Sequence, residues 1–477
     1  MKVAFVFGKG IEGCGVTKGA NVFEEWIVKQ GHESVVVDFD NGQSFSRSKD
    51  TSWLGTMLRL RAEDTAETVP DIVAQVNSCD IVIIHSMPTR KQGKYIDRFR
   101  EFVATIKDPI IVTHDHGITK HNINMIPQAA EIFAMSDIGV VQSFEGYGRR
   151  GYTAIDPTMD DRIIENPIWV QTGEYDQYRK SFEDRRKHFL YIGRMSSIKD
   201  PALIPRIEPH MNMDEWDLSL IGCEKSIASV SMLTSDLATN PAPYTDGFKQ
   251  RILIKNLLVS GEYSIPPAEL KKPGAPNLPM NAYDRYRYSW GMTQLGESMA
   301  SWCGYRLKDP TEYGHRMEYT VIESFLLTVP VISRHFAENA RSPEGKLWGE
   351  YYGPLVSEAR CEAELAVELE RIANDKEEWE ARSKACRELI YKFNDIDVIG
   401  KKFLDFVLTK GKRSDKIDFV ETISDYFPSA RERRDNGEVL ITSAKTVIDK
   451  LAFTLIDGKQ FPIESPNNVG STLEGFF

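Results

Sequence analysis

The chain has 477 residues, 59 of them basic and 70 acidic, for a net charge of −11; apolar residues make up 41% and charged ones 27%. That balance excludes a wholly disordered chain, a fibrous repeat and a globally basic DNA binder, which needs concentrated Lys and Arg against phosphate. At ~150 residues per domain, the length predicts two large units and an extension.

In chain order, residues 3–7 are β-branched and aromatic and run into Gly8, Gly10, Gly13 and Gly15. A helical pattern follows Lys18 (Val22, Trp26, Ile27) and closes at Gly31, and residues 34–39 read as a second strand. Strand, glycine loop, helix and strand make a Rossmann-like opening. Further strands are predicted at 81–84, 110–113 and 139–142. Each is short and continuously apolar, as parallel strands covered on both faces are. A second α/β series begins after Pro167, with strands at 189–192 and 218–221, a helix through Val321, Ile322 and Phe325, and a strand at 329–333. One charged helix is predicted over 362–393. Between 240 and 302, Pro, Gly and Tyr interrupt the pattern, which reads as a long insertion. The predicted domains are 1–175, 176–408 with insertion 240–302, and a C-terminal extension 409–477.

The six cysteines, Cys14, Cys79, Cys223, Cys303, Cys361 and Cys386, form no C-x-x-C pair and predict reduced thiols. The N-terminal M-K-V-A-F-V-F lacks the long apolar region of a signal peptide. No stretch approaches the ~18 apolar residues of a membrane span.

Several clusters can carry chemistry. In G-I-E-G-C-G-V-T-K (Gly10 to Lys18), glycines admit a bound group close to the backbone, and the next helix N-terminus favours anions. The string is neither a P-loop nor G-x-G-x-x-G, and a structural turn satisfies it equally. His114-Asp115-His116 follows a strand end, where doubly wound sheets bind ligands, and offers charge and proton transfer. A metal pair or a satisfied loop are the alternatives; His85 and His121 share no metal-ligand spacing with it. Arg194 and Lys199 after the 189–192 strand suit a pyrophosphate, or simply surface charge. In E-Y-T-V-I-E, Glu318 and Glu323 open a helix, where a carboxylate either accepts ribose hydroxyls or favours the first turn.

These pieces, with Gly222-Cys223-Glu224-Lys225-Ser226, occur in an order that resembles the DNA α-glucosyltransferases of T-even bacteriophages. The resemblance covers residues 1 to about 408 in patches. It implies the GT-B fold, two Rossmann-like domains facing a central cleft, and transfer from a UDP-sugar to 5-hydroxymethylcytosine in double-stranded DNA with retention. It also implies that Gly13, Cys14 and Gly15 face the diphosphate and sugar, and that Arg194 and Lys199 hold the diphosphate. Glu318 and Glu323 then serve the ribose, and Glu224, Lys225 and Ser226 line the nucleotide cleft. His114 and Asp115 sit beside sugar and acceptor. No metal and no permanently bound cofactor are implied, and the enzyme acts in the cytoplasm of an infected bacterial host. One departure stands at His315, eight positions before Glu323, where retaining GT-B enzymes commonly carry a sugar-contacting Glu. It bears on the donor, so glucose and a pentose such as arabinose are both carried. Other readings are a GT-B enzyme with a non-DNA acceptor, a UDP-sugar epimerase, or a non-catalytic DNA- or clamp-binding module.

For DNA, residues 89–100 hold five basic groups and one acid, and Arg149, Arg150 and the D-R-Y-R-Y-S-W string at 284–290 add arginines among aromatics. A solvated helix face explains 89–100 equally well. Because a GT-B cleft is deep, the base is expected to flip out. The tail ends in Leu473, Phe476 and Phe477, resembling the tails with which T-even replication proteins dock on a sliding clamp. Packing on the protein's own body is the alternative.

Overall fold

A computed structural model gives the structure and describes residues 1–8, 15–39, 53–61, 64–85, 93–115, 127–141, 156–165, 168–193, 203–222, 291–304, 319–334, 355–359 and 361–414. They divide into two compact units. The first comprises Met1–Asn166 and the chain from Gly400 onward; the second comprises Pro167–Ile399.

The first unit is built on strands β1 (Lys2–Phe7), β2 (Glu33–Phe39), β3 (Thr56–Leu60), β4 (Ile81–His85), β5 (Ile110–Asp115), β6 (Ile138–Val141) and β7 (Ile163–Glu165). All pair in parallel, in the order β3-β2-β1-β4-β5-β6-β7. Val, Ile and Phe dominate because both faces of such a sheet are covered and each strand must be apolar on both sides; all five residues of β4 are buried. Helices α1 (Gly15–Lys29), α2 (Pro70–Asn77), α3 (Gly93–Ala104) and α4 (Pro127–Ala134) make the connections. Inside α1, the buried Glu24 accepts hydrogen bonds from Ser34 Oγ (2.6 Å), Gly55 N (2.7 Å) and Leu54 N (3.0 Å), which ties the helix to the entry of β3.

The second unit has strands β8 (Arg186–Gly193), β9 (Asp217–Gly222), β10 (Ser298–Gly304), β11 (Val331–Arg334) and β12 (Val356–Glu358), parallel in the order β12-β11-β10-β8-β9. Among the described residues its helices include α5 (Leu203–Ile207), α6 (Tyr319–Leu326), α7 (Glu362–Asn374) and α8 (Lys376–Phe393). Helix α9 (Ile396–Lys410) then carries the chain back to the first unit.

Three sequence expectations change here. The single charged helix is two, because Asp375 breaks it and caps α8 by accepting from Glu378 N (2.9 Å). The insertion read over 240–302 runs too far: residues 291–296 are helical and β10 is the central strand of its sheet. Its sequence, S-M-A-S-W-C-G, mixes serines into the apolar run, so the periodicity is lost. Buried partners satisfy those serines: Ser298 Oγ meets His188 Nδ1 (2.8 Å), and Ser301 Oγ donates to Ser324 Oγ (2.9 Å). Third, the second domain does not run to 408. On α9, Phe403 packs edge-on against Phe23 of α1 with ring centroids 5.2 Å apart. Beyond it, the buried Arg413 pairs with Asp156 and donates its amide to Asp137 Oδ1 (2.8 Å). Among the described residues no helix is long and apolar enough to cross a membrane.

Candidate active site

Parallel strands bring their carboxyl ends to one edge, and in the first unit His114 and Asp115 stand there. In the first unit, Phe7, His85, His114 and Val140 stand level on four neighbouring strands, with Asp115 one step further, opposite Val141. Gly8 N donates to His85 O (3.3 Å), and α1 opens at Gly15. The His85 ring stacks on Phe7 (5.2 Å, 17°) and lies 5.1 Å from the His114 ring; Trp53 tilts against Phe7 at 5.4 Å.

This cluster is dry. His85 is 0% and His114 6% exposed. Burial pushes the His114 imidazole down to about 3. Burial, and then the neighbouring His114, hold His85 well below the ordinary imidazole range. Both rings are therefore neutral at pH 7, the form that burial favours. His114 thus does not supply the charge expected of the triplet. Asp115 closes β5; its side chain, like His116 and His121, lies outside the described residues. His85, read from sequence only as a doubtful ligand, is part of the same cluster.

In the second unit, Gly193 of β8 stands level with Gly222 of β9, and Gly304 of β10 with Arg334 of β11. Arg194 follows the first of these ends directly, and Glu224, Lys225 and Ser226 follow the second within four residues. These residues, together with Lys199, Gly13, Cys14 and Glu318, lie outside the described residues.

Glu323 is described. It sits in the second turn of α6, beyond the first-turn positions where capping explains an acid, and is 6% exposed. Tyr175 Oη donates to its Oε1 at 3.5 Å. Tyr175 belongs to the 3-10 stretch Thr172–Tyr178, whose mixed polar sequence carries no signal for such a role. Of the basic run at 89–100, Arg100 is engaged by Glu131 (3.1 Å). The other proposed DNA contacts, Arg149, Arg150 and residues 284–290, and the tail residues Leu473, Phe476 and Phe477 lie outside the described residues. Among the described residues, no three His, Cys, Asp or Glu side chains are grouped to hold a metal ion.

Residues 14–146 match the sequence profile of the family described as DNA alpha-glucosyltransferase. The DNA alpha-glucosyltransferase of Enterobacteria phage T4 is 31% identical over 151 residues, 29% of this chain and 36% of that protein, so the alignment spans about a third of the relative. Solved structures extend the likeness to both units. An alpha-glucosyltransferase in complex with UDP-glucose and DNA containing an abasic site matches with a TM-score of 0.59 at 18% identity, over 85% of this chain and 98% of that one. The same holds for an alpha-glucosyltransferase with UDP and a 13-mer DNA containing an HMU base (0.57, 17%, covering 85% and 99%). Anabaena Alr3699/HepE in complex with UDP-glucose matches at 0.56 and 10%, covering 86% and 100%. The fold is therefore GT-B, and the resemblance read from the motifs holds across 14–146.

Proposed function

We propose that this protein is a UDP-sugar-dependent DNA glycosyltransferase that transfers glucose to 5-hydroxymethylcytosine in duplex DNA with retention. One observation carries the reading: the 14–146 match to the DNA alpha-glucosyltransferase family includes His114 and Asp115, and these two residues close strand β5, next to the central β4, at the carboxyl edge. The alignment with the phage enzyme and the fold likeness to complexes with UDP-glucose and DNA support it.

In this reading the bond from the anomeric carbon to the β-phosphate oxygen breaks, and one from the same carbon to the hydroxymethyl oxygen forms on the same face. Negative charge grows on UDP as it leaves, and Arg194 and Lys199 stabilise it. Glu323 and Glu318 accept ribose hydroxyls, Glu224, Lys225 and Ser226 line the nucleotide site, and Gly13, Cys14 and Gly15 let the backbone approach diphosphate and sugar. Asp115 takes the acceptor proton or stabilises the oxocarbenium-like carbon. Neutral His114 hydrogen-bonds an uncharged sugar hydroxyl and adds no positive charge beside that carbon. UDP-sugar is a substrate, and the residues named supply every role without a bound cofactor.

A pentose donor is the second reading, and His315 favours it, because a carboxylate that grips a hexose is replaced there. The place of action is the cytoplasm of an infected bacterium. A sliding clamp is the proposed partner of Leu473, Phe476 and Phe477, a short apolar anchor of the kind that fills a preformed pocket. The test incubates the protein with UDP-glucose or UDP-arabinose and duplexes carrying cytosine or 5-hydroxymethylcytosine, followed by mass spectrometry of the nucleosides. A hexose on the modified base is expected. A pentose selects the second reading, and no product on either duplex overturns the DNA acceptor.

A further inference from the structure

Helix α6, which carries Glu323, ends in an atypical turn. Thr328 N donates to Phe325 O (3.1 Å) and Val329 N to Ser324 O (2.7 Å), the paired bonds of a Schellman cap. The residue at the bend of that cap is left-handed and is usually glycine. Here it is Thr328 at φ 60, the single non-glycine residue with positive φ among those described. For a β-branched side chain this conformation is costly and persists only where surrounding contacts impose it.

Those contacts converge from two elements. Arg185 Nη2 donates to Leu327 O (2.7 Å) and Thr328 Oγ1 (2.8 Å), while Nη1 donates to Ser298 O (2.9 Å) at the start of β10. Its guanidinium lies 4.4 Å from the centre of the Trp379 ring. On α8, Ser383 Oγ donates to Thr328 O (3.0 Å). Arg185 is only 8% exposed, and burial lowers it to about 9, still a cation at neutral pH. Hydrogen bonds from a charged donor are the stronger kind. The link to the candidate site is short: Leu327 N donates to Glu323 O (3.0 Å), and Leu327 O is held by Arg185.

We propose that Arg185 is a positioning residue for nucleotide binding: by clamping Leu327 and Thr328 it fixes the end of α6, and thereby the place of the Glu323 carboxylate beside Tyr175. This rests on the reading of Glu323 as the acceptor of the ribose hydroxyls. A lysine here keeps the charge but, with one nitrogen, cannot bridge β10 and the turn as the guanidinium fork does.

The test is calorimetric titration of UDP into the full-length protein. Arg185→Lys is expected to weaken UDP about tenfold, and Arg185→Met further. Adding Thr328→Gly to Arg185→Lys should restore affinity to within about threefold of wild type, since glycine holds positive φ without a clamp. Hydrogen exchange at the Thr328 and Val329 amides should rise in Arg185→Lys and fall again in the double variant. Should Arg185→Met not fold, Arg185→Lys carries the test. Wild-type UDP affinity in Arg185→Lys, or a loss that Thr328→Gly does not relieve, overturns the inference and leaves Arg185 a packing residue. Glu323→Gln is the separate control: unchanged UDP affinity there overturns the ribose assignment, whatever Arg185 does.

Discussion

At the carboxyl edge of the first unit the strands end in rings. Phe7, His85 and His114 stand level and buried, with His85 stacked on Phe7 and tilted against His114. At the same edge of the second unit Gly193, Gly222 and Gly304 end their strands, and the candidates Arg194 and Lys199 come after the first in the sequence, Glu224 and Lys225 after the second. Among the described strands both sheets are parallel, yet their strand ends differ in residue type. Under the proposed function, buried neutral imidazoles suit an uncharged sugar and a reaction that water would spoil. A glycine at a strand end has no side chain to hold a bound group away from the backbone. In the proposed reading the first edge serves the acceptor and the second the donor, and each half can be tested alone.

The largest expected effect is in the first unit. Asp115→Ala should reduce transfer by about 10²–10⁴-fold, the range for loss of a proton-transferring group, with UDP affinity near wild type. Transfer within a few-fold of wild type would make the strand end structural. In the second unit, Arg194→Ala and Lys199→Ala should each cost about 10- to 100-fold in kcat/KM and weaken UDP as well, because the diphosphate is charged in both ground and transition states. Calorimetry that finds UDP affinity unchanged in both variants would break the comparison on that side.

A smaller effect concerns how the first unit is held. A Cβ on Gly55 would collide with Ser34 Oγ and the Ser34 carbonyl, within the group that Glu24 ties together. Gly55→Ala should therefore destabilise by about 1–3 kcal/mol in urea unfolding, the usual range for overpacking. The dry imidazole predicts a pH effect of similar order. His114 has a folded value of about 3 against the ordinary 6.5, so below 6.5 the unfolded chain binds the proton that the folded one refuses. Stability is fully present above 6.5 and is lost as pH falls toward 3, at up to about 1.4 kcal/mol per pH unit. His114→Phe should flatten that slope, and an unchanged slope would mean the imidazole is wet. The smallest effect belongs to the tail: deleting residues 471–477 should leave transfer to short duplexes unaltered while abolishing retention on an immobilised sliding clamp.

What the sequence determined by itself was local. Residues 3–7, 34–39, 81–84, 110–113, 189–192 and 218–221 read as buried parallel strands because β-branched runs bounded by glycine and polar residues have few other uses, and each lies within an observed strand. The glycine loop, the H-D-H triplet and E-Y-T-V-I-E were visible for the same reason: each is a contiguous string whose residue types imply a chemistry. The tertiary structure decided whatever depends on neighbours distant in sequence. S-M-A-S-W-C-G became a central strand only because His188 and Ser324 satisfy its serines. Helix α9 rejoined the first unit because Phe403 finds Phe23 there. His114 lost its charge because it is buried, beside His85, and Glu323 gained Tyr175, 148 residues earlier in the chain. Burial and pairing are properties of the surroundings, and a residue's own type does not carry them.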